Sequence, residues 1–121
     1  MKTCLIVDDS KVVRRITRGM MEQLQFEVDE AEDGQVAIEA CDRHLPDLVL
    51  LDWNMPVMNG LECLQAIRAK YGPDSPVVIL CTTENDLEHI MTAMSNGANE
   101  YIMKPFDEEI IQSKLSEVGM I

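Results

Sequence analysis

Short apolar runs alternate along this chain with stretches whose apolar residues recur every three or four positions. Cys4-Leu5-Ile6-Val7 is such a run and predicts a buried strand stopping at Asp8. Val13, Ile16, Met20 and Leu24 follow at helical spacing. Phe26 to Ala31 predicts a second strand, whose alternation suits a place nearer a sheet edge. Gly34 precedes a second helix carrying Val36, Ala37, Ala40 and Cys41, and Pro46 closes it. Leu48-Val49-Leu50-Leu51, the most apolar run, stops at Asp52. Asn59-Gly60 marks a turn ahead of a third helix bearing Leu61, Leu64 and Ile67.

Beyond the loop residues Gly72, Pro73 and Pro76, the run Val77-Val78-Ile79-Leu80-Cys81 predicts a fourth strand ending at Thr82. Leu87, Ile90, Met91 and Met94 define a fourth helix, with Gly97 as its stop. Tyr101-Ile102-Met103 is a short fifth strand ending at Lys104-Pro105. Ile110, Ile111, Leu115 and Val118 form a last helix, whose acidic first turn suits the helix dipole. Strands that are apolar on both faces, in strict alternation with helices, predict an α/β fold: a doubly wound, five-stranded parallel sheet. No linker, repeat or low-complexity segment divides the chain, so residues 1–121 are read as one domain.

Composition narrows the function. A formal charge of -12 repels phosphate backbones, so direct nucleic-acid binding is not expected; a divalent cation or a basic partner surface suits it. No apolar run reaches the ~18 residues of a membrane span, and Lys2 is followed too soon by Asp8-Asp9 for a signal peptide. No membrane insertion and a cytoplasmic location are expected. Cys4, Cys41, Cys63 and Cys81 lie in or beside apolar stretches without a CxxC pair. They read as small buried hydrophobes in a reducing compartment. Most of the methionines read as core or loop plugs; Met91 and Met94 read as core, with an adaptable partner surface as the alternative.

The strands end on Asp8-Asp9, Asp52, Thr82 and Lys104. In an open parallel sheet, ligands bind at the carboxyl ends of the strands, so these residues would meet in one pocket. Three carboxylates at ~4 Å repel by about 1 kcal/mol a pair in water and about 4 at an effective dielectric of 20. A hard divalent cation offsets this, with help from Lys104. Magnesium takes one or two protein carboxylates, waters and phosphate oxygens, which leaves a carboxylate free to react.

Val7-Asp8-Asp9-Ser10, Leu51-Asp52-Trp53-Asn54-Met55-Pro56 with Asn59-Gly60, Cys81-Thr82-Thr83-Glu84, Gly97-Ala98, and Tyr101 with Lys104-Pro105-Phe106 carry a specific likeness. Over essentially its entire length the chain resembles a response-regulator receiver domain of the single-domain kind that serves chemotaxis. The resemblance implies a flavodoxin-like (βα)5 sheet of strand order 2-1-3-4-5. It makes Asp52 the phosphoacceptor, helped by Thr82 and Lys104, and places Mg2+ on Asp9, Asp52 and the Asn54 carbonyl, with Asp8 acting partly through water. Lys104 would pair with Asp52 at rest, and the Lys104-Pro105 bond would be cis. Thr82 and Tyr101 would switch the face of the fourth helix, fifth strand and fifth helix. Asn54, Thr83 and Glu84 would tune a short phosphoryl lifetime. At Thr83 the family often has Ala or Gly, and a branched side chain there narrows access.

The implied partners are a sensor histidine kinase or histidine phosphotransfer protein, and a downstream protein target such as a motor or kinase. A monomer is expected, with no enzymatic turnover beyond self-catalysed phosphoryl transfer and loss. Trp53 fluorescence is expected to fall with magnesium. The alternatives are a phosphorelay intermediate or phosphate sink, and a receiver excised from a transcription factor or hybrid kinase. The absence of linker composition at Gly119-Met120-Ile121 favours the stand-alone reading. An aspartyl phosphatase would need an acid where Asn54 stands, and a flavodoxin-like binder would need a hydroxyl- or Gly-rich loop where Asp8-Asp9 stands.

Overall fold

The computed structural model describes residues 1–83 and 87–121. Ten elements alternate: β1 (Thr3–Val7), α1 (Lys11–Gln23), β2 (Glu27–Ala31), α2 (Gly34–Arg43), β3 (Leu48–Asp52), α3 (Gly60–Tyr71), β4 (Val77–Thr82), α4 (Leu87–Ser95), β5 (Glu100–Met103) and α5 (Glu108–Glu117). The strands form one sheet in the order β2-β1-β3-β4-β5, every neighbouring pair parallel. This is the flavodoxin-like arrangement, with β2 at an edge as its alternation indicates.

Register explains how continuous apolar runs serve two faces. Leu5 pairs with Val49 and Val49 with Val78; the next row is Ile6, Leu50 and Ile79. Successive rows point to opposite sides of a pleated sheet. The Leu5 row packs with Ala37, Cys41, Cys63, Leu64, Ile67 and Ala93 from α2, α3 and α4. The Ile6 row packs with Met21 of α1 and with Ile111 and Leu115 of α5. All four cysteines are buried free thiols within these layers. Burial pushes the thiols up, that of Cys41 to about 11 and those of Cys63 and Cys81 to about 12.

Helix starts are fixed by side-chain caps. Ser10 accepts from Val13 N–H, Asp33 from Val36 N–H, and Asp107 from Ile110 N–H; Asn59 and Glu62 form a reciprocal capping box. Because Ser10 caps α1, Asp8 and Asp9 are left for other work.

Helix α4 presents a different face from the one its spacing suggests, whereas α1 keeps most of its own: Val13, Met20 and Leu24 are half-buried, Met20 and Leu24 against the core. In α1 the buried residues are Thr17 and Met21, while Val12 and Ile16 are 66% and 57% exposed. In α4 only Ala93 is buried, and Met91 and Met94 are 61% and 41% exposed, so neither is a core plug. The small Ala93 lets α4 lie close to the sheet. Two residues earlier on a 3.6-residue turn, Met91 then points roughly the opposite way. Phe26 is buried but precedes β2, following Gln25 at φ 73°. Among the described residues no helix is long and apolar enough to cross a membrane.

Candidate functional site

Parallel strands deliver their carboxyl ends to one edge of the sheet. Asp8 follows β1, Asp52 and Thr82 are the last residues of β3 and β4, and Lys104 follows β5. Asp8, Asp52 and Thr82 are buried polar residues at the ends of apolar strands, at 4%, 6% and 3% exposure. Asp9 is exposed. Asp8, Asp9 and Asp52 each offer one carboxylate oxygen, and the three oxygens lie within 4.8 Å of one another.

Lys104 joins two of these acids. Its Nζ lies 2.6 Å from Asp8 Oδ2 and 3.0 Å from Asp52 Oδ1. The expected Asp52 pair is present, and the contact with Asp8 is the shorter one. Asp8 is held at every polar atom. Its N–H donates to Ala31 O at 3.1 Å, and its Oδ1 accepts from Ser10 N–H at 2.9 Å. Its carbonyl accepts from Arg14 Nη1 at 2.6 Å.

Burial raises the Asp52 carboxyl above its ordinary value, against the hydrogen bond and charge of Lys104, and the charges of Asp8 and Asp9 push the same way as burial. For Lys104 burial pulls downward, but Asp8 and Asp52 outweigh it and the ammonium titrates higher than usual. The cluster is thus short of positive charge. Three hard oxygen donors beside a single ammonium suit a hard divalent cation such as magnesium.

The loop after β3 is fastened from both sides. Trp53 N–H donates to Cys81 O at 2.9 Å, and Gly60 N–H donates to Trp53 O at 2.8 Å. A Cβ on Gly60 would stand 2.3 Å from Asp52 O, so only glycine lets α3 begin against this peptide. The Trp53 ring meets His89 of α4 edge-on, with centroids 5.2 Å apart.

Asn54 is exposed two residues beyond Asp52, and Thr83 is exposed beyond buried Thr82. Lys104 N–H donates to Thr82 O at 2.8 Å, and the Lys104–Pro105 peptide is cis. Tyr101 stands apart from the acids, three residues (~10 Å) before Lys104 along the chain. It is half-buried, pairs in register with Leu80, and has Lys114 Nζ 4.6 Å from its ring centroid. Glu84 lies outside the described residues. Sequence reasoning missed Arg14 and the Ser10 N–H contact, because nothing in the helical pattern distinguishes Arg14 from its neighbour Arg15.

The family model of the response regulator receiver domain matches residues 4–116. The chain is 40% identical over 116 residues to the chemotaxis protein CheY1 of Helicobacter pylori, covering 94% of each. It is 39% identical to a chemotaxis protein CheY homolog of Campylobacter jejuni, covering 94% of this chain and 89% of that one. Among solved structures, the chemotaxis response regulator CheY4 of Vibrio cholerae superposes with a TM-score of 0.91 at 30% identity, covering 98% of each.

Proposed function

The chain belongs to the response regulator receiver domain family, and from that premise we propose that it accepts a phosphoryl group on Asp52 and signals through its α4–β5–α5 face. One observation carries this reading: Asp52 ends β3 in reach of both Lys104 and the oxygens of Asp8 and Asp9. The Asp52 carboxylate attacks phosphorus in line, the bond from phosphorus to the donor's leaving atom breaks, and an acyl phosphate forms. Lys104 moves its ammonium onto a phosphoryl oxygen, and the Thr82 hydroxyl donates to another. Asp9, Asp52 and the Asn54 carbonyl would hold Mg2+, with Asp8 contributing partly through water. When bound, the ion supplies charge neutralisation for the transferring group.

Thr82 closing on the phosphoryl group, and Tyr101 turning inward, would shift a conformational equilibrium already present. The exposed Leu87, Met91, Met94 and Ile110 on α4 and α5 support a protein-binding face there. Similarity to the chemotaxis regulators supports a chemotaxis target, a histidine kinase or phosphotransfer donor, and a cytoplasmic location. Residues 1–121 act as one receiver unit, a monomer signalling by binding rather than by turnover, with Asn54, Thr83 and Glu84 setting the lifetime.

Incubation with magnesium and acetyl phosphate or phosphoramidate, followed by intact mass, tests the chemistry. A gain of about 80 Da, one phosphoryl group, is expected in the wild type. The gain is absent in Asp52→Asn and with a chelator. An unchanged wild-type mass overturns the reading.

A further inference from the structure

The peptide joining Asp8 to Asp9 is held at its oxygen by a side chain that the chemistry above does not use. Arg14, in the first turn of α1, donates from Nη1 to Asp8 O at 2.6 Å. Its Nε donates to Glu30 Oε1 at 3.0 Å, and Glu30 Oε2 accepts from Arg18 Nη1 at 2.7 Å. Arg18 Nη2 in turn donates to Val28 O at 3.1 Å. A chain of charge-assisted hydrogen bonds therefore runs from edge strand β2, across α1, to the peptide between the two acids. The Arg14 side chain is only 14% exposed.

Charged hydrogen bonds of this kind are short and strong, and a guanidinium fork fixes direction as well as distance. Asp8 has its N–H and its carboxylate fixed by Ala31, Ser10 and Lys104. Arg14 adds the last constraint, the plane of the peptide that leads into exposed Asp9. Asp9 then needs only its own side-chain torsions set to meet an ion. Charge alone would work in the other direction, since a cation beside the cluster disfavours a second cation. Positioning and plain charge thus predict opposite signs when Arg14 is removed.

We propose that Arg14, braced by Glu30, is a positioning residue for the Asp8–Asp9 limb of the metal site. This rests on the reading of the acidic cluster as a magnesium site. The arrangement works as an outer support does elsewhere, where loss of a supporting contact weakens metal affinity by roughly ten- to a hundredfold.

The test is magnesium titration of the intact protein, followed by Trp53 fluorescence and by calorimetry, at low and at high salt. Arg14→Gln is expected to bind magnesium about tenfold more weakly than wild type, equally at both salt levels. Arg14→Lys keeps the charge but lacks the fork, and is expected to resemble Arg14→Gln rather than wild type. Arg15→Gln removes the same charge from an exposed site on the same helix, and is expected to bind as wild type does or slightly more tightly. Glu30→Gln is expected to weaken binding by a smaller factor than Arg14→Gln.

Affinity in Arg14→Gln equal to that of Arg15→Gln overturns the inference, as does wild-type affinity in Arg14→Lys. Should Arg14→Gln fail to fold, Glu30→Gln decides, and unchanged affinity there overturns it. A wild type that binds no magnesium overturns the metal reading and this inference with it. A wild type that binds, with Arg14 variants that bind equally well, overturns this inference alone.

Discussion

The acidic cleft has two flanks of unlike construction. On the α1 flank, Asp8 is secured by Ala31, Ser10, Arg14 and Lys104, and the Arg14–Glu30–Arg18 chain ties helix to edge strand. On the α4 flank, a nine-residue helix buries Ala93 and leaves Leu87, Met91 and Met94 exposed. The first flank is dense in directional bonds between charges and backbone. The second relies on little buried apolar surface, and such segments sit at the low end of local stability. The asymmetry is what the proposed switch would require: rigid placement of the acids on one flank, and on the other a helix with little packing to lose.

The largest contrast is expected in packing. Met21 of α1 is fully buried, so Met21→Ala should cost about 2–5 kcal/mol. Met91→Ala on α4 should change stability by less than about 0.5 kcal/mol. Urea unfolding of the two variants, compared at equal m-value, measures both. A cost for Met91→Ala close to that for Met21→Ala would break the comparison, because α4 would then be anchored as firmly as α1.

Between the flanks sits Asp52, whose charge is opposed by burial first and by the neighbouring acids after it. Asp52→Asn keeps the shape and removes that charge. In chelator the variant is expected to melt above wild type, since Lys104 retains its 2.6 Å contact with Asp8. Magnesium should raise the wild-type midpoint and leave that of the variant nearly still, by linkage to binding. A lower midpoint for Asp52→Asn in chelator would mean that the Lys104 pair outweighs burial, and that the cleft is not short of positive charge.

The loop between β3 and α3, beside Asp52, carries local strain. Val57 is a branched residue at φ 68°, 82% exposed, and Met58 N–H closes a three-residue turn onto Pro56 O at 2.7 Å. A left-handed backbone on a β-branched residue is costly, of order 1–3 kcal/mol, while asparagine tolerates it. Val57→Asn should therefore stabilise by about 1 kcal/mol, read as a raised urea midpoint. No gain would mean that the turn is held without strain at Val57.

The order of elements, the parallel sheet and the four strand-end polar residues were legible because each rests on local pattern. An apolar run that ends abruptly at Asp52 or Thr82 announces both a buried strand and a polar site at its end. The helix faces were less legible. Val12, Val13, Ile16, Thr17, Met20 and Met21 offer two overlapping stripes on α1, and only the fold shows that Thr17 and Met21 are buried while Met20 packs half-buried beside them and Ile16 stays exposed. Met91 and Met94 have core-like side chains, yet a small alanine decides which side of α4 meets the sheet. Arg14 was illegible for another reason. Its partners, Asp8 O and Glu30, are brought to it by the β1–β2 pairing, and one of them is a backbone atom that no side-chain pattern records.

The smallest effect tests whether the α1 flank is held by charge. The Arg18 hydrogen bond keeps Glu30 below the usual carboxylate range, with Arg14 adding to it and partial burial pulling the other way. A carboxyl lowered in the fold stabilises fully above its unfolded value of about 4.3, and that contribution is lost as pH falls through the folded value. Glu30→Gln removes the ionic part, at a cost of about 0.5–1 kcal/mol near neutrality, modest because the pair is partly exposed. The stability gap between wild type and Glu30→Gln should hold steady down to about pH 5 and narrow below about 4.3. The gap between wild type and Met91→Ala should stay flat over the same range, since no titrating pair is lost there. Equilibrium unfolding across that pH range checks both, and the paired differences cancel the titration of the other acids. A Glu30→Gln gap that does not narrow in acid would show that shape rather than charge holds the α1 flank, and the contrast between the two flanks would then be one of packing alone.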